Sequence, residues 1–236
     1  MQERQYTNRG EYETYKMAKL LQTQYPEDGI KIYANLFLSL NDGEPNRQID
    51  HLLLSHRGLF VLETKYWTGT IYHEITLDQL TEECADYWPI VKDSLPSTIR
   101  QLKHSDFFTL VARPDEALEG YANWHDPAQQ VKTTMAKLHT FLKEHLEIPP
   151  FVHGFVLYAY PQSDENKIFD LNGRLDGDDD TKNDDAAEIT GHTASEPDGF
   201  SSLARFRDYY EHMPKMVMQA SRTTEIAKCI EEEIIN

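Results

Sequence analysis

QIDHLLLSHRGLFVLETK (48–65) decides the fold. Two apolar runs, 48–55 and 59–65, flank the turn-forming residues His56, Arg57 and Gly58. Leu52, Leu53 and Leu54, and then Leu59 to Leu62, are apolar at consecutive positions, which predicts strands covered on both faces, in mid-sheet. Asp50, Glu63 and Lys65 interrupt this apolar pattern near its two ends. Alternate side chains of a strand share a face, so Glu63 and Lys65 point the same way. A two-residue turn at His56 and Arg57 sets Asp50 opposite Glu63. A turn at Arg57 and Gly58 sets it opposite Lys65. Either register gathers all three on one face, at one end of the strand pair.

Adjacent carboxylates repel each other and are costly to desolvate. A divalent cation offsets that cost, since Mg²⁺ takes a carboxylate or two and keeps other positions for water and phosphate. A neighbouring lysine then orients a water or neutralises charge on a phosphoryl group, as metal-assisted phosphodiester hydrolysis requires. The competing reading is a simple ion pair between Lys65 and one of the carboxylates.

Outward from the hairpin, strands alternate with helices, and the class is α/β. GEYETYKMAKLLQTQYP (10–26) places Met17, Leu20, Leu21 and Tyr25 at helical spacing before Pro26. A strand-like run (29–40) and the turn-forming NDGEPN (41–46) lead into the hairpin, and WTGTIYHEITL (67–77) continues strand character. About 78–125 reads as an insertion with a helix over 98–110. Asp126 and Pro127 open a helix over 126–146 with Val131, Met135, Leu138 and Leu142 as its apolar stripe. FVHGFVLYAY (151–160) reads as a buried strand, and helices are expected over 203–218 and 224–235. The expected organisation is a core over 1–160, an acidic loop over 161–200 and C-terminal helices over 201–236 packed on the core.

The net charge of −17 speaks against a simple electrostatic nucleic-acid binder, but it is unevenly spread. Residues 164–198 hold twelve acidic and three basic residues, about half the excess, and read as a solvated acidic loop. Within it Asp176, Asp178 and Asp180 imitate a calcium-binding loop, but Thr181 stands where that loop needs Gly and Ala187 where it needs Glu. No apolar run has the length of a membrane span, and the first residues have no signal-peptide core. Cys84 and Cys229 match no metal or redox spacing and suit a reducing, cytoplasmic setting. No histidine pair has zinc spacing, no glycine-rich phosphate loop occurs, and no Ser or Cys lies in a nucleophile elbow.

QIDH (48–51) followed by VLETKYWTG (61–69) resembles the core of the NERD (nuclease-related) domain of the PD-(D/E)XK nuclease superfamily. GEY (10–12) and DPAQQ (126–130), where that family has NP-x-x-Q, extend the resemblance over roughly 8–160. The resemblance implies a restriction-endonuclease-like core: a central mixed sheet flanked by helices, plus insertions. It implies Mg²⁺ or Mn²⁺ held by Asp50 and Glu63, with Glu11 completing the shell and Lys65 positioning or activating water. Gln130 would hold the lysine or the DNA backbone. Glu13 and His51 are alternates, although His51 should face away from the metal side. DNA is the implied substrate, with RNA the alternative. The gap of about sixty residues between Lys65 and DPAQQ departs from the family pattern, as does the acidic loop.

Tyr66 and Trp67 are candidates to stack on a base, with core burial the competing reading. Arg47 and Lys132, and beyond them Lys31, Arg57, Arg100, Lys103 and Lys137, are candidate phosphate contacts. Two rival functions remain: a catalytically inactive nucleic-acid-binding or adaptor module on the same fold, and an interaction protein whose acidic loop engages a basic partner. A protein partner or homodimer is left open.

Overall fold

The computed structural model describes residues 8–38, 47–161, 163, 166–169 and 199–234. The acidic residues of 164–198, the calcium-loop look-alike and the 41–46 turn lie outside the described residues. In chain order the first elements are α1 (Arg9–Gln24), β1 (Lys31–Leu38), β2 (Arg47–Ser55), β3 (Gly58–Lys65), β4 (Thr70–Ile75), α2 (Leu77–Glu83), α3 (Trp88–Ser94) and α4 (Ser97–Arg100). There follow β5 (Phe108–Ala112), β6 (Glu119–Ala122), α5 (Pro127–His145), β7 (Val152–Tyr158), β8 (Lys167–Phe169), β9 (Gly199–Ser202), α6 (Leu203–His212) and α7 (Ala220–Glu233). The class is mixed α/β, with two mixed sheets flanked by helices. No helix among the described residues is long and apolar enough to cross a membrane.

The chain divides into two compact units, Met1–Tyr66 with Val131–Ala159 and His192–Asn236, and Trp67–Gln130 with Tyr160–Gly191. The larger unit carries a sheet of order β1-β2-β3-β7-β9. β1, β2 and β3 are antiparallel, whereas β3, β7 and β9 run parallel. β3 is therefore the middle strand, and every residue of it except Lys65 is buried, which is why its sequence is apolar without alternation.

On one face Met17, Ala18 and Leu21 of α1 and Phe206 and Tyr210 of α6 pack on Leu53, Phe60, Leu62, Phe155 and Leu157. Facing away, Val131 and Met135 of α5 crowd Gly154 so closely that a Cβ there would overlap both side chains. Asp126 caps α5, its Oδ1 accepting from the N–H of Ala128 (2.9 Å) and Gln129 (3.2 Å).

The smaller unit holds a sheet of order β6-β5-β4-β8 over a core of Ile75, Leu77, Leu80, Leu95, Ile99, Phe108 and Leu110. The helix expected over 98–110 is not there. Only the single turn of α4 forms, Asp106 Oδ2 accepts from Lys103 N at 3.1 Å in a reversing turn, and Phe108–Ala112 is strand β5 between β4 and β6. Apolar and β-branched residues in FFTLVA satisfy a pleated, covered surface better than a helix.

The helix expected over 203–218 ends at His212, where Pro214 has no N–H to continue it. Buried Arg57 holds that end: its Nη1 donates to the carbonyls of Tyr210 (2.8 Å) and Glu211 (2.9 Å), and its Nε pairs with Asp28 at 2.6 Å. Arg57 is therefore a structural clamp between the rings of Tyr25 and Tyr210, buried and not the phosphate contact expected from the sequence. The last helix begins at Ala220, earlier than the expected 224. β9 was not foreseen; it is extended because it pairs with β7.

Candidate active site

The β2–β3 register runs from Ser55↔Gly58 to His51↔Leu62, so the turn is the two-residue His56–Arg57 form, and Asp50 comes next, opposite Glu63. Beyond that point the strands keep only their outer partners. β2 stays paired with β1 out to Arg47↔Leu38, and β3 with β7 out to Lys65↔Tyr158, but the β2–β3 ladder stops at His51↔Leu62. The Asp50 carboxylate occupies the resulting gap. Its Oδ2 accepts from the backbone N–H of Thr64 at 3.0 Å, replacing a ladder hydrogen bond. Glu63 is buried beside it, and Lys65 Nζ donates to Glu63 Oε1 at 2.8 Å.

Burial is the largest influence on Asp50 and pushes its pKa up to about 7. The negative charge of Glu63 pushes the same way, the Thr64 N–H and Lys65 oppose, and Glu11 adds a further upward push. A carboxyl held this way carries an unmet demand for positive charge.

α1 supplies the third carboxylate. Glu11 is buried, and among the described residues its Oε2 has no hydrogen-bond partner. Glu13 instead pairs with Lys16 at 2.9 Å on the exposed side of the helix. The start of α1 is fastened to β3 in two ways. Gly10 lies so close that a Cβ would sit 2.9 Å from Tyr66 Cβ and 3.1 Å from Thr64 Cγ2, and Thr64 Oγ1 donates to Thr14 Oγ1 at 3.1 Å, both hydroxyls buried. His51, next to Asp50 but on the other face of β2, is buried. Burial lowers its pKa to about 4 against an opposing push from the Glu11 backbone, so the ring is neutral.

Asp50, Glu63 and the unpartnered Glu11 Oε2 are hard oxygen donors and suit Mg²⁺ or Mn²⁺. Among the described residues no three His, Cys, Asp or Glu are drawn together as a ready-made cage. The donor set thus fits an ion that takes one or two carboxylates directly and retains much of its water.

The other sequence-derived candidates are placed as follows. Gln130 lies in the smaller unit, where its Nε2 donates to the Trp124 carbonyl at 3.1 Å. Trp67 is half-buried, stacked on Tyr121 at 4.3 Å. Tyr66 is half-buried with the Arg9 guanidinium 5.6 Å from its ring centroid. Arg47 Nε donates to Thr134 Oγ1 at 2.9 Å, and Lys132 is partly exposed on α5. Sequence reasoning missed Thr64 and Thr14. Thr64 lies between Glu63 and Lys65, and Thr14 lies one helical turn after Glu11, so spacing alone could have paired them with the carboxylates.

A splayed strand pair carrying D and E-x-K beside a helix carboxylate defines a nuclease-related fold. The chain matches the nuclease-related domain (NERD) family over residues 7–159, and it belongs to that family. No curated protein and no solved structure matches it.

Proposed function

We propose that the chain is a metal-dependent nuclease that hydrolyses phosphodiester bonds, most readily in DNA. The observation that carries this reading is the set of confined carboxylates: Asp50 in the β2–β3 gap, Glu63 opposite, and the unpartnered Oε2 of buried Glu11. Such a set is costly without a cation and well matched to one.

In this reading Asp50 and Glu63 would hold Mg²⁺ or Mn²⁺, with Glu11 contributing directly or through water. The bound ion would polarise the phosphoryl group and lower the pKa of a bound water. Lys65 moves its Nζ from Glu63 towards the attacking water or a non-bridging phosphoryl oxygen, positioning one or neutralising charge on the other. The water oxygen forms the new P–O bond in line, the opposite P–O bond breaks, and the water's proton leaves to solvent. The buried Thr14–Thr64 hydroxyl pair holds the helix carboxylate in place.

The test is cleavage of supercoiled plasmid, linear duplex, single-stranded DNA and RNA in Mg²⁺, Mn²⁺ or EDTA. Metal-dependent cutting of one substrate class supports the reading and names that class. Nucleic-acid binding without cutting in any lane favours an inactive binding module instead.

A further inference from the structure

Beside the carboxylates, α1 begins with an arginine whose place its own helix does not explain. Arg9 is the first residue of α1, and a cation at a helix N-terminus is electrostatically unfavourable. It is exposed, and among the described residues it pairs with no carboxylate, although acidic residues far outnumber basic ones in the chain. Four other cations of this unit are held by carboxylates: Lys16 by Glu13, Lys31 by Glu231, Arg57 by Asp28 and Lys65 by Glu63. Arg9 is nevertheless held in place, its guanidinium 5.6 Å from the centroid of the Tyr66 ring. Tyr66 follows Lys65, and the contact of Gly10 with Tyr66 Cβ fixes the backbone beneath the pair.

We propose that Arg9, whose guanidinium lies over the Tyr66 ring, is a phosphate-binding residue for the substrate backbone, gripping a phosphate that flanks the one attacked. The inference rests on the nuclease reading above and deepens it. A guanidinium drawn to an aromatic face keeps N–H donors free for a planar fork on phosphate oxygens and loses less side-chain freedom on binding than an unrestrained one. It also supplies positive charge two residues before Glu11, at the helix end that carries the third carboxylate, where a polyanion would otherwise be repelled.

The experiment uses the full chain and a fluorescent 20-base-pair duplex, or the strand type that the cleavage panel selects. Anisotropy is read over a salt series for wild type, Arg9→Ala and Arg9→Lys, with Mn²⁺ calorimetry and steady-state cleavage on the same preparations. Arg9→Ala should weaken nucleic-acid binding about tenfold at low salt and flatten the log K against log salt slope by about 0.9, the share of one phosphate contact. KM should rise with kcat largely kept, and Mn²⁺ affinity should not change. Arg9→Lys should keep the salt slope and lose only part of the affinity, because the charge stays and the planar fork goes.

Wild-type affinity and slope in Arg9→Ala would overturn the inference and leave the nuclease reading intact. Weakened Mn²⁺ binding in Arg9→Ala would also overturn it, since Arg9 would then act through Glu11. A wild-type chain that neither binds nor cuts any nucleic acid would overturn both.

Discussion

Lys65 Nζ lies 2.8 Å from Glu63 Oε1, two residues along the same strand. The same carboxylate cannot fully serve the lysine and a metal ion. The ion pair is therefore the resting arrangement of the site in this account, and metal binding competes with it. Replacing Lys65 by Met should leave Mn²⁺ affinity unchanged or slightly raised, while cleavage falls by about 10²–10⁴-fold, the range for a lost proton-transfer or positioning group. Calorimetry and cleavage rates on one protein sample separate the two effects. Loss of Mn²⁺ binding in that variant would mean that the lysine builds the site rather than acts in it.

The two glutamates at the start of α1 should behave differently. Glu11 is buried with a bare Oε2, whereas Glu13 holds an exposed ion pair with Lys16. Glu11→Gln is expected to lower Mn²⁺ affinity by about tenfold or more and to slow cleavage, since the direct or water-bridged donor loses its charge. Glu13→Gln should change stability by less than about 0.5 kcal/mol and leave both readouts near wild type. Titration calorimetry on the pair decides the assignment.

Much of this site was legible before any coordinates. The D, E-x-K spacing and the absence of alternation in 52–62 gave both the middle strands and the shared face, because a period of two leaves little freedom once both faces are covered. The choice between the two turn registers was not legible, since His56, Arg57 and Gly58 satisfy either. Arg57 shows why surface roles are hard to read: an arginine in a turn looks solvent-bound, yet Asp28, distant in sequence, buries it. Strand β9 escaped for the same reason, because its partner β7 lies far back along the chain.

The buried hydroxyl pair should couple stability to catalysis. Thr14→Val keeps the shape of the side chain but takes the partner from Thr64 Oγ1 at 3.1 Å. A stability loss of about 1–2 kcal/mol is expected from the unsatisfied hydroxyl, read by urea unfolding. Removing both hydroxyls in Thr14→Val with Thr64→Val should recover part of that loss. Each variant that still folds should cut more slowly, through looser placement of Glu11. Undiminished cleavage would show that the pair is purely structural.

Asp126 gives a pH-dependent prediction away from the carboxylate cluster. Burial raises its pKa from 3.8 to about 6, despite hydrogen bonds from Thr109 Oγ1 and from the N–H groups of Gln129 and Ala128. The folded state therefore holds this proton more tightly than the unfolded one. The stabilisation is full below about pH 4 and is lost as pH rises through about 6. Asp126→Asn lacks that loss and keeps a capping side chain. Its stability relative to wild type should rise by roughly 2 kcal/mol between pH 4 and 7, following from the size of the shift. Denaturant midpoints across that range, compared for the two proteins, check the sign.

The central claim is that Asp50 and its neighbours hold a metal ion for phosphodiester hydrolysis. Its most direct test is the cleavage rate of supercoiled plasmid in Mn²⁺, wild type against Asp50→Asn, with Mn²⁺ binding measured on both. Wild type should cut, EDTA should abolish the cutting, and the Asn variant should neither bind the ion nor cut. Equal cutting by the two proteins, or equal cutting in EDTA, would contradict it.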